Sequence, residues 1–219
     1  MGDVIVELAG EGNDSVEAGI SYVLGAHLEN LTLSYSVSTA LNGTGNALDN
    51  YVLGNDFDNV LDGAGGVDTM EGLEGNDTYL VDNVAEQSLV FEEAGFGTDT
   101  VRSSVTWTLG SNLENLVLTG SANINGTGNT VNNQVTGNSG NNQLSGGSGH
   151  DTLDGGGAGT DVLTGGQGND TFIVNHSTVT VSESSGQGTD TVQSSINHTL
   201  ATNVENYMEI GRASCRERV

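Results

Sequence analysis

Five aspartates recur in this chain at the ends of short glycine-rich segments, and their spacing gives them a shared chemistry. Asp68 and Asp77 close GAGGVDTME and GLEGNDTYL at the sixth position, and Asp151 and Asp170 do the same in GGSGHDTLD and GGQGNDTFI. Asp161 sits one place later in GGGAGTDVLT, which carries one extra residue. Two residues behind each Asp stands a single large apolar side chain: Met70, Tyr79, Leu153, Leu163 or Phe172. Glycines that adopt positive φ let the backbone curl tightly and turn its carbonyl oxygens inward. The carboxylate adds a hard anionic oxygen at the end of the curl. Calcium takes about six to eight oxygen ligands at roughly 2.3–2.6 Å and accepts carbonyls beside carboxylates. No single unit offers that many oxygens, so a metal must sit between two stacked corners.

The units belong to two longer blocks, residues 45–80 and 128–173. Each block opens on copies with Asn in the Asp place: Asn50 and Asn59 in the first, Asn133 and Asn142 in the second. Their apolar partners are Val52, Leu61, Val135 and Leu144. A nine-residue period is neither a helix heptad nor plain strand alternation. It is the period of a solenoid, in which each unit turns a corner and lays down one short strand. Asn supplies a neutral oxygen and an amide that can bond the next rung, as in stacked Asn ladders. The Asn corners are therefore expected to be metal-free or weakly binding, and the Asp corners to form the calcium side.

These units resemble the calcium-binding nonapeptide of the RTX (repeats-in-toxin) family, G-G-x-G-x-D-x-U-x with U large and apolar. GGSGHDTLD and GGQGNDTFI match every fixed position. The resemblance implies an all-β chain, an elongated right-handed parallel β-roll in which two nonapeptides make one coil. Asp151 then lies above Asp170, with the Asp161 corner on the opposite side, and this pair is the best candidate calcium site. Asp68, Asp77 and the backbones of Gly147, Gly149, Gly166 and Gly168 complete the candidate ligand set. The resemblance further implies a secreted, extracellular bacterial protein, passed unfolded through type I secretion machinery and folded outside by calcium.

A larger repeat frames the blocks. AGEGNDSV, AGFGTDTV and SGQGTDTV place Asp14, Asp99 and Asp190 at spacings of 85 and 91 residues, each followed by an LEN or VEN triplet. These half-motifs are read as solvated turns rather than metal sites. Between blocks, Val101, Ser103, Val105, Trp107 and Leu109 alternate and predict one half-buried strand. Leu113, Leu116 and Leu118 then break the alternation, as a bend would. Residues 1–208 read as a single repeat solenoid, cut from something longer at both ends. The segment 209–219, EIGRASCRERV, holds three of the four Arg and the only Cys, Cys215. It carries no repeat signal and looks like a translated sequencing adapter, so it is set aside from fold and function.

Composition excludes several functions. Acidic residues number 29 against four basic ones, for a net charge of −25. Nucleic acid and anionic lipid need Lys and Arg to neutralise phosphate, so neither is an expected partner. No apolar run reaches the length of a membrane-spanning helix. The four histidines are scattered, and no nucleophile elbow, zinc-protease or phosphate-loop motif occurs, so the chain is not expected to be an enzyme. Trp107 and Tyr79 read as packing residues. Two parent architectures remain open: the repeat tail of a secreted protease, lipase or polysaccharide epimerase, or a segment of an adhesin or surface layer with a cell-surface or matrix partner.

Overall fold

The computed structural model describes residues 5–210. The chain forms two compact units that meet in sequence at Thr119 and Gly120. Both are parallel β-solenoids. In the first, one sheet runs Ser15–Ala18, Asn30–Leu33, Tyr51–Leu53, Thr69–Glu71 and Val90–Phe91. The other runs Tyr22–Val23, Asn42–Asn46, Val60–Ala64, Thr78–Val81, Thr100–Ser103 and Asn115–Leu118. In the second unit the sheets are built on Gly126–Thr127, Gln143–Ser148, Val162–Gln167 and Thr180–Val181, and on Gln134–Thr136, Thr152–Asp154, Thr171–Val174, Thr191–Ser194 and Asn206–Glu209. Through the nonapeptide blocks consecutive strands alternate between the two sheets, so each coil there contributes one strand to each face. One 3-10 turn, Val84–Ser88, is the only helical element among the described residues, and none of them forms a helix able to cross a membrane.

The register follows the nonapeptide. Leu61 pairs with Tyr79 and Val52 with Met70, each two units apart. Leu144 pairs with Leu163 and Leu153 with Phe172, one residue further because of the ten-residue copy. That extra residue is absorbed at the exposed Gly157 and Ala158. Every apolar eighth position is buried, with Val52, Leu61, Met70, Tyr79, Val135, Leu153, Leu163 and Phe172 at 0% exposure. Within the blocks the core is therefore a column of one apolar side chain per strand, which suits a chain only 34% hydrophobic, and the wider rungs bury two, as in Leu31 with Leu33 and Leu116 with Leu118.

The single strand predicted over residues 101–109 is two. Thr100–Ser103 and Trp107–Thr108 are separate elements. The break has a local cause: the Ser103 hydroxyl donates to the Val105 carbonyl and accepts the Val105 N–H at 3.1 Å, folding the chain back on itself. Ser194 makes the same pair of bonds to Ile196. The expected bend before Leu116 falls at Asn112, which takes a positive φ of 63°. Trp107 is buried at 1% exposure. Of the segment set aside, Glu209 ends the last strand and Ile210 follows it; residues 211–219, with Arg212, Cys215, Arg216 and Arg218, lie outside the described residues.

Candidate metal centre

Stacking builds columns of corner residues. In the second unit Asp151 donates its backbone N–H to Asp170 Oδ1 at 2.8 Å, and Asp170 donates to Asp190 Oδ1 at 2.8 Å. Asn133 heads this column by donating to Asp151 Oδ1 at 2.7 Å. Asp161 stands on the other sheet, where its Oδ1 accepts from the Asn142 N–H at 2.9 Å. In the first unit the columns are Asn50 on Asp68, and Asn59 on Asp77 on Asp99. Each corner carboxylate thus spends one oxygen capping the backbone of the coil before it.

The second oxygen separates Asp from Asn. Asn142 accepts the Asn138 N–H on Oδ1 and donates Nδ2 to the Ile124 carbonyl at 2.6 Å. Asn59 likewise takes the Asn55 N–H and donates to the Leu41 carbonyl. Asn50 takes the Asn46 N–H and donates to the Leu28 and Glu29 carbonyls. These corners are complete. At Asp68, Asp77, Asp151, Asp161 and Asp170 the Oδ2 atom is buried with no hydrogen-bond partner among the described residues. All five residues are at most 1% exposed. An anionic oxygen desolvated without a partner is costly. Such an oxygen is what a bound cation would satisfy.

The glycines show where this oxygen lies. Oδ2 of Asp151 rests against the Cα of Gly146, and Oδ2 of Asp170 against that of Gly165, so closely that a Cβ at either glycine would collide. Gly147, Gly149, Gly166 and Gly168 all take positive φ, from 101° to 131°. The Gly147 and Gly149 carbonyl oxygens point at the Cα atoms of Gly166 and Gly168 in the next coil, where no Cβ would fit. The corner therefore offers carboxylate and carbonyl oxygens and no sulfur. That is a donor set for a hard cation, and it fits calcium rather than zinc.

Burial pushes the corner carboxyls up. Asp68, Asp99 and Asp151 rise to about 6 and Asp77 to about 7, from an ordinary value of 3.8. Asp161 and Asp170 move the same way. Burial is the largest cause at each, opposed by the backbone N–H that Oδ1 accepts. A neighbouring acid adds to the rise: Asp99 for Asp77, and Asp170 for Asp151.

Some residues of these columns are not visible in the nonapeptide period. Glu29, Glu114 and Glu205, from the LEN and VEN triplets, accept the backbone N–H groups of Asp14, Asp99 and Asp190 at 2.8–2.9 Å. The recurrence of the triplet was the available signal. The fifth position of the nonapeptide, variable by type, forms an outer ladder. Asn132 Oδ1 accepts the His150 N–H, and His150 Nδ1 accepts the Asn169 N–H, both at 2.7 Å. His150 is thus exposed and structural. His27 and His176 are exposed too, and His198 is half-buried.

Residues 44–79, 127–157 and 156–172 match the family model of the RTX calcium-binding nonapeptide repeat (4 copies). The two nonapeptide blocks carry RTX calcium-binding repeats. The match covers Asp68, Asp77, Asp151, Asp161 and Asp170, though not Asp99 or Asp190, and it supports calcium binding at RTX corners of this kind. No curated protein matches the chain.

Proposed function

We propose that this chain is a calcium-binding segment of a secreted protein whose RTX roll becomes stable when calcium fills the aspartate corners. The observation that carries the reading is the buried, unpartnered Oδ2 of all five nonapeptide aspartates, to which Asp14 adds a sixth. In the metal-free chain each is a desolvated charge, and the acids of one column repel one another. A calcium ion between Asp151 and Asp170 would be held by their carboxylates and by the Gly147, Gly149, Gly166 and Gly168 carbonyls. Its binding free energy then becomes folding free energy. The same logic suits export of an unfolded acidic chain through type I secretion machinery from a low-calcium compartment, with folding outside the cell. The role is binding rather than catalysis, and any reaction belongs to a partner or to another part of the parent protein.

Isothermal titration of the full chain with calcium, with magnesium as control, tests this reading. Calcium should bind at several sites per chain and magnesium far more weakly. Asp151→Asn with Asp170→Asn should remove at least one ion. Equal binding of both metals, or an unchanged calcium count in the double variant, would contradict it.

A further inference from the structure

The third recurring element of the chain is an acid that precedes each half-motif. ELAGEGND, EEAGFGTD and ESSGQGTD place Glu7, Glu92 and Glu183 seven residues before Asp14, Asp99 and Asp190. These glutamates lie outside the residues matched by the nonapeptide family. In the first unit the wide rung after Asp77 returns through Val90–Phe91 and sets Glu92 beside the column. The Tyr79 hydroxyl donates to Glu92 Oε1, fixing the side chain. Glu92 Oε2 is buried without a partner. Asp77 is 1% exposed, and its own unpartnered Oδ2 shares with the Tyr79 hydroxyl the space against the Gly72 Cα. Asp99, also 1% exposed, is tied to the Asp77 backbone at 2.7 Å. One oxygen from each of Asp77, Glu92 and Asp99 lies within 4.8 Å of the others.

The second unit carries the same three acids with a different hold on the glutamate, and its oxygens do not converge as closely as those of the first. Phe172 replaces Tyr79 and has no hydroxyl. Glu183 Oε1 instead accepts the N–H groups of Gly165 and Gly166. Its Oε2 is again buried and unpartnered, as is Oδ2 of Asp170, which rests against Gly165. Asp190 accepts the Asp170 N–H at 2.8 Å. Two unrelated anchors thus hold a glutamate beside the column, the Tyr79 hydroxyl in one unit and the Gly165 and Gly166 N–H groups in the other. Arg102 is the one Lys or Arg among the described residues, and it is exposed, so none of those residues brings a buried Lys or Arg to either cluster.

We propose that Asp77, Glu92 and Asp99 hold one calcium ion, and that Asp170, Glu183 and Asp190 hold its counterpart in the second unit. These sites close each nonapeptide block on its C-terminal side, using a glutamate that the nonapeptide does not contain. Three carboxylates with neighbouring carbonyls suit calcium, whose coordination is irregular and can be built from oxygen alone. A cleft of about 340 Å³ includes Glu92 in its lining. The inference rests on the calcium reading above, and the test separates the two.

Calcium stoichiometry is measured by equilibrium dialysis on the full chain and on Glu92→Gln, Glu183→Gln and the double variant, with Glu93→Gln as an exposed control. Gln keeps the Oε1 acceptor for Tyr79 or for the glycine N–H groups, and circular dichroism at saturating calcium confirms the fold. Asp99→Asn, which keeps the acceptor for the Asp77 N–H, serves as a second variant. Each single change should remove one ion, the double should remove two, and Glu93→Gln should remove none. A double variant that keeps the full calcium count overturns this inference and leaves the nonapeptide sites standing. A parent chain that binds no calcium overturns both readings.

Discussion

Asn142 and Asp161 stand one coil apart in the same column and differ at one terminal atom. Asn142 donates that atom, Nδ2, to the Ile124 carbonyl, so its corner is complete without help. Asp161 presents an oxygen there, buried and without a partner. The same contrast separates Asn50 from Asp68 and Asn59 from Asp77. Both kinds of corner keep the same backbone cap on the preceding coil, so they share one fold. One is self-satisfied, and the other is finished by a cation. Each block therefore opens on rungs that stand alone and ends on rungs that depend on metal.

Exchanging the two kinds of corner is the strongest way to break this contrast. Asp151→Asn with Asp170→Asn should lose an ion while making the metal-free chain more resistant to heat, since two desolvated charges disappear. Calorimetry in chelator would read the second effect, and a lower midpoint would count against the account. The reverse exchange, Asn142→Asp, deprives the Ile124 carbonyl of its donor and creates a new orphan oxygen. It should cost about 1–3 kcal/mol in chelator by denaturant melts, and calcium should recover part of that loss.

Acidity offers a graded version of the same test. Burial raises Asp68, Asp99 and Asp151 to about 6, Asp77 to about 7 and Glu92 to about 8. In the unfolded chain these groups titrate near 4. Between those values the folded chain binds more protons than the unfolded one, so metal-free stability must fall as pH rises. It is fully present below about 4, declines as pH rises from there, and is lost once pH has passed the folded values of about 6 to about 8. Thermal midpoints in chelator should therefore drop across this window, and less steeply in the Asp151→Asn, Asp170→Asn variant. Calcium binding near pH 7 should release protons, measurable by titration at constant pH.

The smallest effect belongs to the outer ladder. His150→Ala removes one exposed acceptor for the Asn169 N–H. It should cost about 0.5–1 kcal/mol by denaturant melts and leave calcium affinity unchanged. A large shift in calcium affinity would mean that the fifth position takes part in the metal site.

Much of this was legible in the sequence because the nonapeptide ties side-chain identity to position in the coil. The apolar eighth place must face inward and the Gly-opened curl must bend, so the columns of Leu153 on Phe172 and Asp151 on Asp170 follow from counting. The count fails outside the blocks. Asp77 and Asp99 stack across 22 residues, and no local period announces that Glu92 will return between them. The recurrence of Glu seven residues before each half-motif Asp was the one trace of it. The strand predicted at 101–109 failed for a local reason: alternation persists through Val105, but the Ser103 hydroxyl turns the backbone there. The distinction between Asn and Asp corners was visible as composition, whereas its cause, one unpartnered oxygen, required the stacked coils.

Far-UV circular dichroism of the full chain, started in chelator and titrated with calcium and separately with magnesium, tests the central claim most directly. The account predicts a β signal that is incomplete in chelator and grows with calcium alone, and by less in the Asp151→Asn, Asp170→Asn pair. A β spectrum already complete in chelator and unmoved by calcium would contradict it, and would mean that the aspartate corners hold themselves together without metal.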